Sequence, residues 1–147
     1  MLDKKISVLY VDDEQDNLFS FLATFRIKFR VLTAFSGDEA LKLLETKLVH
    51  VIISDQRMPH MTGVELFEKV QAKYPDPVRL LLTGYADMNA VIDAVNKGKI
   101  FHYLTKPWNE EELTMAIERA YGAWQEKQSL KSSNEQLEFL LRQKLLS

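Results

Sequence analysis

The sequence predicts an α/β fold, an open parallel sheet of five strands covered by helices on both faces, and two observations carry that reading. Five short runs rich in apolar and β-branched residues recur along the chain, and stretches with helical spacing and start signals separate them. Strand and helix thus alternate five times, the pattern of a doubly wound sheet.

Residues 6–11 and 51–54 do not alternate cleanly between apolar and polar, as strands buried on both faces would look, and residues 78–82 read the same way. Weaker strand signals lie at 30–34 and 100–104, where Phe101 and Tyr103 alternate with His102. The first helix is expected over 15–28, with Leu18, Leu22 and Phe25 on its buried side. Ser36 followed by Glu39, and Thr62 followed by Glu65, have capping-box spacing and open the second and third helices. Asp87 is expected to cap the fourth, and Pro107, Asn109 and Glu112 announce the fifth. From about Tyr121 onward the chain is charged and Gln-rich, with Leu130, Leu137 and Leu141 at spacings of seven and four. This spacing resembles a coiled-coil seam, with Asn134 at a core position where a polar residue can set register. Lys127 and Lys144 fall on the same seam and Ser132 and Ser133 are a candidate break, so an amphipathic helix lying back on its own domain is the competing reading.

At 147 residues, 46% hydrophobic and 27% charged, the chain can bury one core and carry an appendage. A net charge of -2 leaves no basic footprint, so direct nucleic-acid binding is not expected of this chain. There is no cysteine, which fits a reducing compartment. The start, MLDKKISVLYVDDE, has an apolar run of only six residues before acids intervene, neither a signal peptide nor a membrane span. A cytoplasmic, soluble protein is expected.

In a sheet of this kind ligands bind outside the carboxyl ends of the strands, where strand order reverses. Asp12 and Asp13 end the first strand, Asp55 the third and Thr83 the fourth, and Lys106 follows the fifth. One crevice would collect all five. Three carboxylates in one place repel one another and call for protons or a cation; hard oxygen ligands suit magnesium better than zinc. Asp12 and Asp13 taken alone would be a helix cap more often than a metal site. Asp55 is harder to explain so simply, because a carboxylate ending a buried strand costs desolvation unless it has a partner or a task. Lys106 can be that partner, and an ordinary buried salt bridge is the plainer alternative for it, as a strand-end hydroxyl is for Thr83.

Nucleotide-binding readings fail on specific grounds: no GxGxxG follows the first strand and no GxxxxGK[ST] occurs anywhere. The first turn is acidic, so a phosphate could enter only with a metal. What remains is transfer of a phosphoryl group to a carboxylate, with metal and lysine neutralising the equatorial oxygens.

Four segments in register, VLYVDDE, IISDQRMPHMTG, LLTGYAD and YLTKPW, resemble the receiver domain of two-component response regulators over roughly residues 4–122. The resemblance implies the flavodoxin-like strand order 2-1-3-4-5 and a receiver domain over 1–122, which leaves 123–147 as the C-terminal helical extension, a possible coiled coil or a linker to an output domain. It makes Asp55 the phosphoacceptor, with Asp13, Asp55 and the backbone carbonyl of Arg57 holding Mg2+ (or Mn2+) and Asp12 acting through a water. Lys106 would pair with the phosphoryl oxygens and Thr83 would hydrogen-bond them, with Gly84 keeping the neighbouring space small. Pro107 after Lys106 fits the family's cis peptide, Pro59 and Gly63 match the turn after the acceptor, and Tyr103 sits at the family's aromatic switch position. A core tyrosine is the plainer reading of Tyr103. Arg57 and Tyr85 flank the pocket and, being bulky, would slow self-dephosphorylation.

His50, His60 and His102 are not spaced like a metal set. Trp108 reads as packing at the start of the fifth helix, with an aromatic docking patch of Phe101, Tyr103 and Trp108 as the alternative. The expected function is a phosphorylation-dependent signalling receiver of a phosphorelay, not an enzyme in its own right, served by a histidine kinase or phosphotransfer protein. It would homodimerise through the fourth helix, fifth strand and fifth helix, or through the C-terminal helix. The runner-up is a Mg2+-dependent phosphohydrolase with an aspartyl-phosphate intermediate, which would want an Asp-x-Asp motif after the first strand. A coiled-coil adaptor with a vestigial pocket is a third reading. The ending FHYLTKPWNEEEL is similar to receivers that precede phosphodiesterase or ATPase output domains, and both a single-domain regulator and the front piece of a longer one fit.

Overall fold

The computed structural model describes residues 5–146; residues 1–4, which belong to the start read above as neither leader nor span, Ser147 and the side chain of Tyr85 lie outside the described residues. Five parallel strands, β1 (Ser7–Val11), β2 (Arg30–Ala34), β3 (Val51–Asp55), β4 (Val78–Thr83) and β5 (His102–Thr105), form one sheet in the order β2-β1-β3-β4-β5. Between them run α1 (Gln15–Phe25), α2 (Gly37–Thr46), α3 (Gly63–Lys73) and α4 (Met88–Asn96), and α5 (Glu110–Leu146) closes the chain. The expected sheet and its order are both present.

The failure of the central strands to alternate has a direct cause. Leu9, Val11, Ile52 and Leu81 pack into one core beneath α2, α3 and α4, while Val8, Tyr10, Ile53, Leu80 and Leu82 pack into a second beneath α1 and α5. Each strand feeds two apolar layers, so both of its faces must be hydrophobic. In α1 the buried stripe is Leu18, Phe21 and Phe25, with Leu22 only partly buried, because residues three and four apart share a helix face. Phe21 stacks flat on Tyr10 at 4.2 Å, and Trp108 meets Phe25 at 5.6 Å, which places Trp108 in the core and away from Phe101 and Tyr103.

The caps divide into two kinds. Thr62 and Glu65 form a complete capping box on α3, and Ser36 Oγ accepts from the Glu39 amide at the start of α2. Glu39 reaches past Ser36 to the Phe35 amide, 3.1 Å away. Asp87, expected to cap α4, makes no side-chain cap bond. Its carboxylate is taken by Arg57 instead.

Ser132 and Ser133 do not interrupt α5, which runs unbroken for 37 residues, about 55 Å at 1.5 Å per residue. Its middle is tied to the sheet's amino-terminal edge. His50 meets Trp124 and Tyr121 edge-on at 4.5 and 5.0 Å, Lys127 Nζ donates to the Pro75 carbonyl at 2.7 Å, and Lys131 pairs with Asp76. Beyond that point the helix is exposed, so it does not fold back over its own domain.

Gly63 is where the packing admits no side chain, since an added Cβ would lie 2.6 Å from both the Asp55 carbonyl oxygen and Leu81 Cδ1. The carbonyl belongs to a strand end and cannot retreat. Gly63→Ala is expected to cost about 1–3 kcal/mol of stability, as overpacking does, measured by urea denaturation.

Candidate functional site

Parallel pairing aligns the carboxyl ends of β1, β3 and β4, and the site assembles there. Asp55 pairs across the sheet with Leu82, and Val11, just before Asp12, with Ser54. One carboxylate oxygen each from Asp12, Asp13 and Asp55 falls within 4.8 Å of the others. Asp12 and Asp55 are buried and Asp13 is exposed, so one acid of the three faces solvent.

The acids differ in what holds them. Asp12 Oδ2 accepts from the Tyr10 hydroxyl at 3.0 Å and from Asn17 Nδ2 at 3.1 Å, and Oδ1 accepts from the Glu14 amide at 2.9 Å. Burial and then the charge of Asp12 hold the Tyr10 phenol well above its ordinary range, so it stays a donor. With three donors in place, Asp12 is oriented before any ligand arrives. Asp55 is held by an ion pair with Lys106, which a strand register places across β4: the Lys106 amide donates to the Thr83 carbonyl at 3.0 Å. The Lys106–Pro107 peptide is cis.

Burial pushes the Asp55 carboxyl above its ordinary value; Lys106 opposes the rise and Asp12 adds to it. One lysine against three carboxylates leaves a surplus of negative charge that a hard divalent cation would satisfy. The donor set is all oxygen, which fits magnesium or manganese.

Around this centre the remaining residues are unevenly placed. Thr83 is fully buried at the end of β4 and its hydroxyl donates to the Gly84 carbonyl at 3.1 Å. An added Cβ at Gly84 would meet nothing within 4 Å, so this glycine borders open space rather than a tight wall. Tyr103 is partly buried against the core and also lines a groove with Phe101, Met115 and Arg119. Arg57 turns from the acids and forms a fork with Asp87, Nε to Oδ2 at 3.0 Å. The Tyr85 side chain, expected beside the pocket, lies outside the described residues.

Sequence reasoning missed three supports. Tyr10 and Asn17 orient Asp12, and Gln56 ties the turn after Asp55, its Oε1 accepting from the Val64 amide at 2.9 Å. Tyr10 did carry a signal, for a hydroxyl in an otherwise apolar buried strand needs a polar partner. Gln56 and Asn17 carried none, since both types are ordinary in turns and helix starts.

The fold and this acidic pocket define an open α/β domain with an acidic crevice at the carboxyl ends of its strands. Comparison with known proteins agrees: the response regulator receiver domain matches residues 8–118. The hydrogenase transcriptional regulatory protein HoxA of Cupriavidus necator is 39% identical over 142 residues, covering 97% of this chain and 29% of HoxA. A response regulator receiver domain protein from Clostridium thermocellum superposes with a TM-score of 0.76 at 30% identity, covering 80% of this chain and 95% of that one. The signal receiver domain of an HD domain-containing protein from Pseudomonas fluorescens Pf-5 does so with a TM-score of 0.80 at 28% identity, covering 88% and 96%. The chain therefore belongs to the receiver domain family of response regulators and is a phosphorylation-dependent signalling receiver; the phosphohydrolase reading is not favoured. It spans under a third of the length of HoxA. Among the described residues no helix is long and apolar enough to cross a membrane.

A raised carboxyl pKa has a consequence for stability. A group whose pKa is higher folded than unfolded contributes stability at low pH that is lost as pH rises through the folded value. At neutral pH without divalent cations, ionised Asp55 thus opposes folding. Asp55→Asn is expected to unfold at higher urea than the wild type at pH 7 in chelator, and the gain should vanish below about pH 4. Equal midpoints at pH 7 would show that Lys106 fully offsets the burial.

Proposed function

We propose that Asp55 is the phosphoacceptor of this receiver and that Lys106, Thr83 and the acids of β1 serve it. The single observation that carries this is the convergence of a buried strand-end carboxylate with two further acids, their oxygens within 4.8 Å of one another, at a site where Lys106 pairs with that carboxylate. Asp55 would attack the phosphorus of a phosphohistidine on a histidine kinase or phosphotransfer protein, the imidazole leaving. Lys106, already paired with Asp55, stays beside the new phosphoryl oxygens and offsets their charge. Thr83 would exchange its bond to the Gly84 carbonyl for one to a phosphoryl oxygen, and Tyr103 would turn inward as that hydroxyl moves. Asp13, Asp55 and the Arg57 carbonyl would hold Mg2+ or Mn2+, with Asp12 acting through a water; bound there, the ion supplies positive charge to the transferring group.

The readout face in this reading is α4, β5 and α5, where Tyr103 lines the groove. We take residues 1–122 as the receiver and 123–147 as its extension, in the cytoplasm, with no nucleic-acid contact of its own given the net charge of -2. The extension favours a homodimer. Leu130, Leu137 and Leu141 lie at heptad spacing and are 62%, 56% and 52% exposed, an apolar seam with Asn134 in register.

Incubation with acetyl phosphate and Mg2+ is expected to label the wild type and leave Asp55→Asn unlabelled by mass spectrometry. Equal labelling of both would place the acceptor elsewhere. For the extension, sedimentation at tens of micromolar should give a dimer, and Leu137→Asp with Leu141→Asp a monomer; a monomeric wild type, with and without acetyl phosphate, would remove the seam from the account.

A further inference from the structure

Asp87 is placed to do one of two things, and it does the less expected one. It precedes α4 at the position from which Asp ordinarily caps a helix, yet makes no cap bond there. Its backbone shows why. Two caps that do work, Ser36 and Thr62, have extended backbones with ψ of 163° and 165°, whereas Asp87 has ψ of 12° and ends a single 3-10 turn over Tyr85–Asp87. A side chain on such a backbone does not reach the amides of Asn89 and Ala90.

What holds it is Arg57. The guanidinium takes both carboxylate oxygens, Nε to Oδ2 at 3.0 Å and Nη2 to Oδ1 at 3.4 Å, and so joins the turn after β3 to the segment between β4 and α4. Thr83 and Gly84 begin that same segment. Arg57 follows Asp55 by two residues. A phosphoryl group on Asp55 would bring nearly two negative charges and three acceptor oxygens to a position two residues before Arg57. The guanidinium fork fits phosphate as well as carboxylate, so the two anions would compete for one cation.

We propose that Arg57 and Asp87 are a positioning pair that keeps α4 uncapped, and that opening the pair lets Asp87 adopt an extended backbone and cap α4. Phosphorylation opens it by drawing Arg57 away. That opening step rests on Asp55 being the acceptor; the hold of Arg57 on Asp87 does not. The device links occupancy of the pocket to the start of α4 through a carboxylate that can serve Arg57 or the helix, but not both. It also predicts that Asn and Ala at position 87 differ: Asn gives up the ion pair yet still caps, while Ala gives up both.

The test is backbone amide hydrogen exchange at Asn89 and Ala90 in the full chain, with amides of α3 as internal reference. In the resting protein Arg57→Gln and Asp87→Asn are expected to slow exchange at these amides about fivefold, the worth of one cap, and Asp87→Ala to leave it unslowed. Labelling with acetyl phosphate and Mg2+ should slow the wild type by the same factor and Asp87→Ala not at all. Unchanged exchange in Arg57→Gln would overturn the hold. Slowing in Arg57→Gln with none in labelled wild type would overturn the coupling alone. A wild type that takes no label would overturn the acceptor reading, and the opening step with it, while the resting-state comparison still decides the hold.

Discussion

Everything in this molecule is arranged around a carboxylate where carboxylates are expensive. Asp55 ends a central strand, buried, with two more acids close by, and Lys106 pairs with it. An isolated ionised carboxylate at such a depth would protonate or destabilise the fold. The surrounding structure makes the arrangement tolerable without neutralising it. Tyr10, Asn17 and the Glu14 amide tie down Asp12, Lys106 reaches across from the end of β5, and the solvent-facing Asp13 keeps one side open to ions.

In the proposed reading, that unresolved charge is also what makes the pocket responsive. A site fully satisfied in the resting state would have little reason to rearrange when a phosphoryl group or cation arrives. In that reading the neighbours with polar groups to reassign are Thr83, whose hydroxyl rests on a backbone carbonyl, and Arg57, whose guanidinium rests on Asp87 before α4. Both lead toward α4 and β5. The second end of the molecule is fixed by different means: an aromatic contact of His50 with Trp124 and Tyr121, and lysine contacts to the loop before β4, seat the middle of α5 against the sheet.

Much of the fold was legible because its signals are local. Ser36 and Thr62 announced helices through caps completed within three residues, and the central strands announced themselves through apolar runs that two cores require. The pocket was legible for a related reason: in a parallel sheet the polar residue after each strand must arrive at one edge, so Asp12, Asp13, Asp55, Thr83 and Lys106 could be gathered by counting strands. Local signals misled where a distant partner intervened. Asp87 stands where a cap is expected, but Arg57, thirty residues earlier, takes its carboxylate. Ser132 and Ser133 looked like a break, yet the helix on either side is continuous and the two serines face solvent.

The sequence by itself determined the strands, the helices and the residues that end them, because period and capping depend on neighbours in the chain, while the strand order followed from the family resemblance. Only the tertiary structure decided how those residues are held and which way they face. Tyr10 under Asp12, Arg57 on Asp87, Gln56 across its turn and Trp124 against His50 are choices among partners that the folded chain brings together from afar. Hydrogen bonds and ion pairs reach only a few ångström. Which pairs form is therefore set by packing of the two cores.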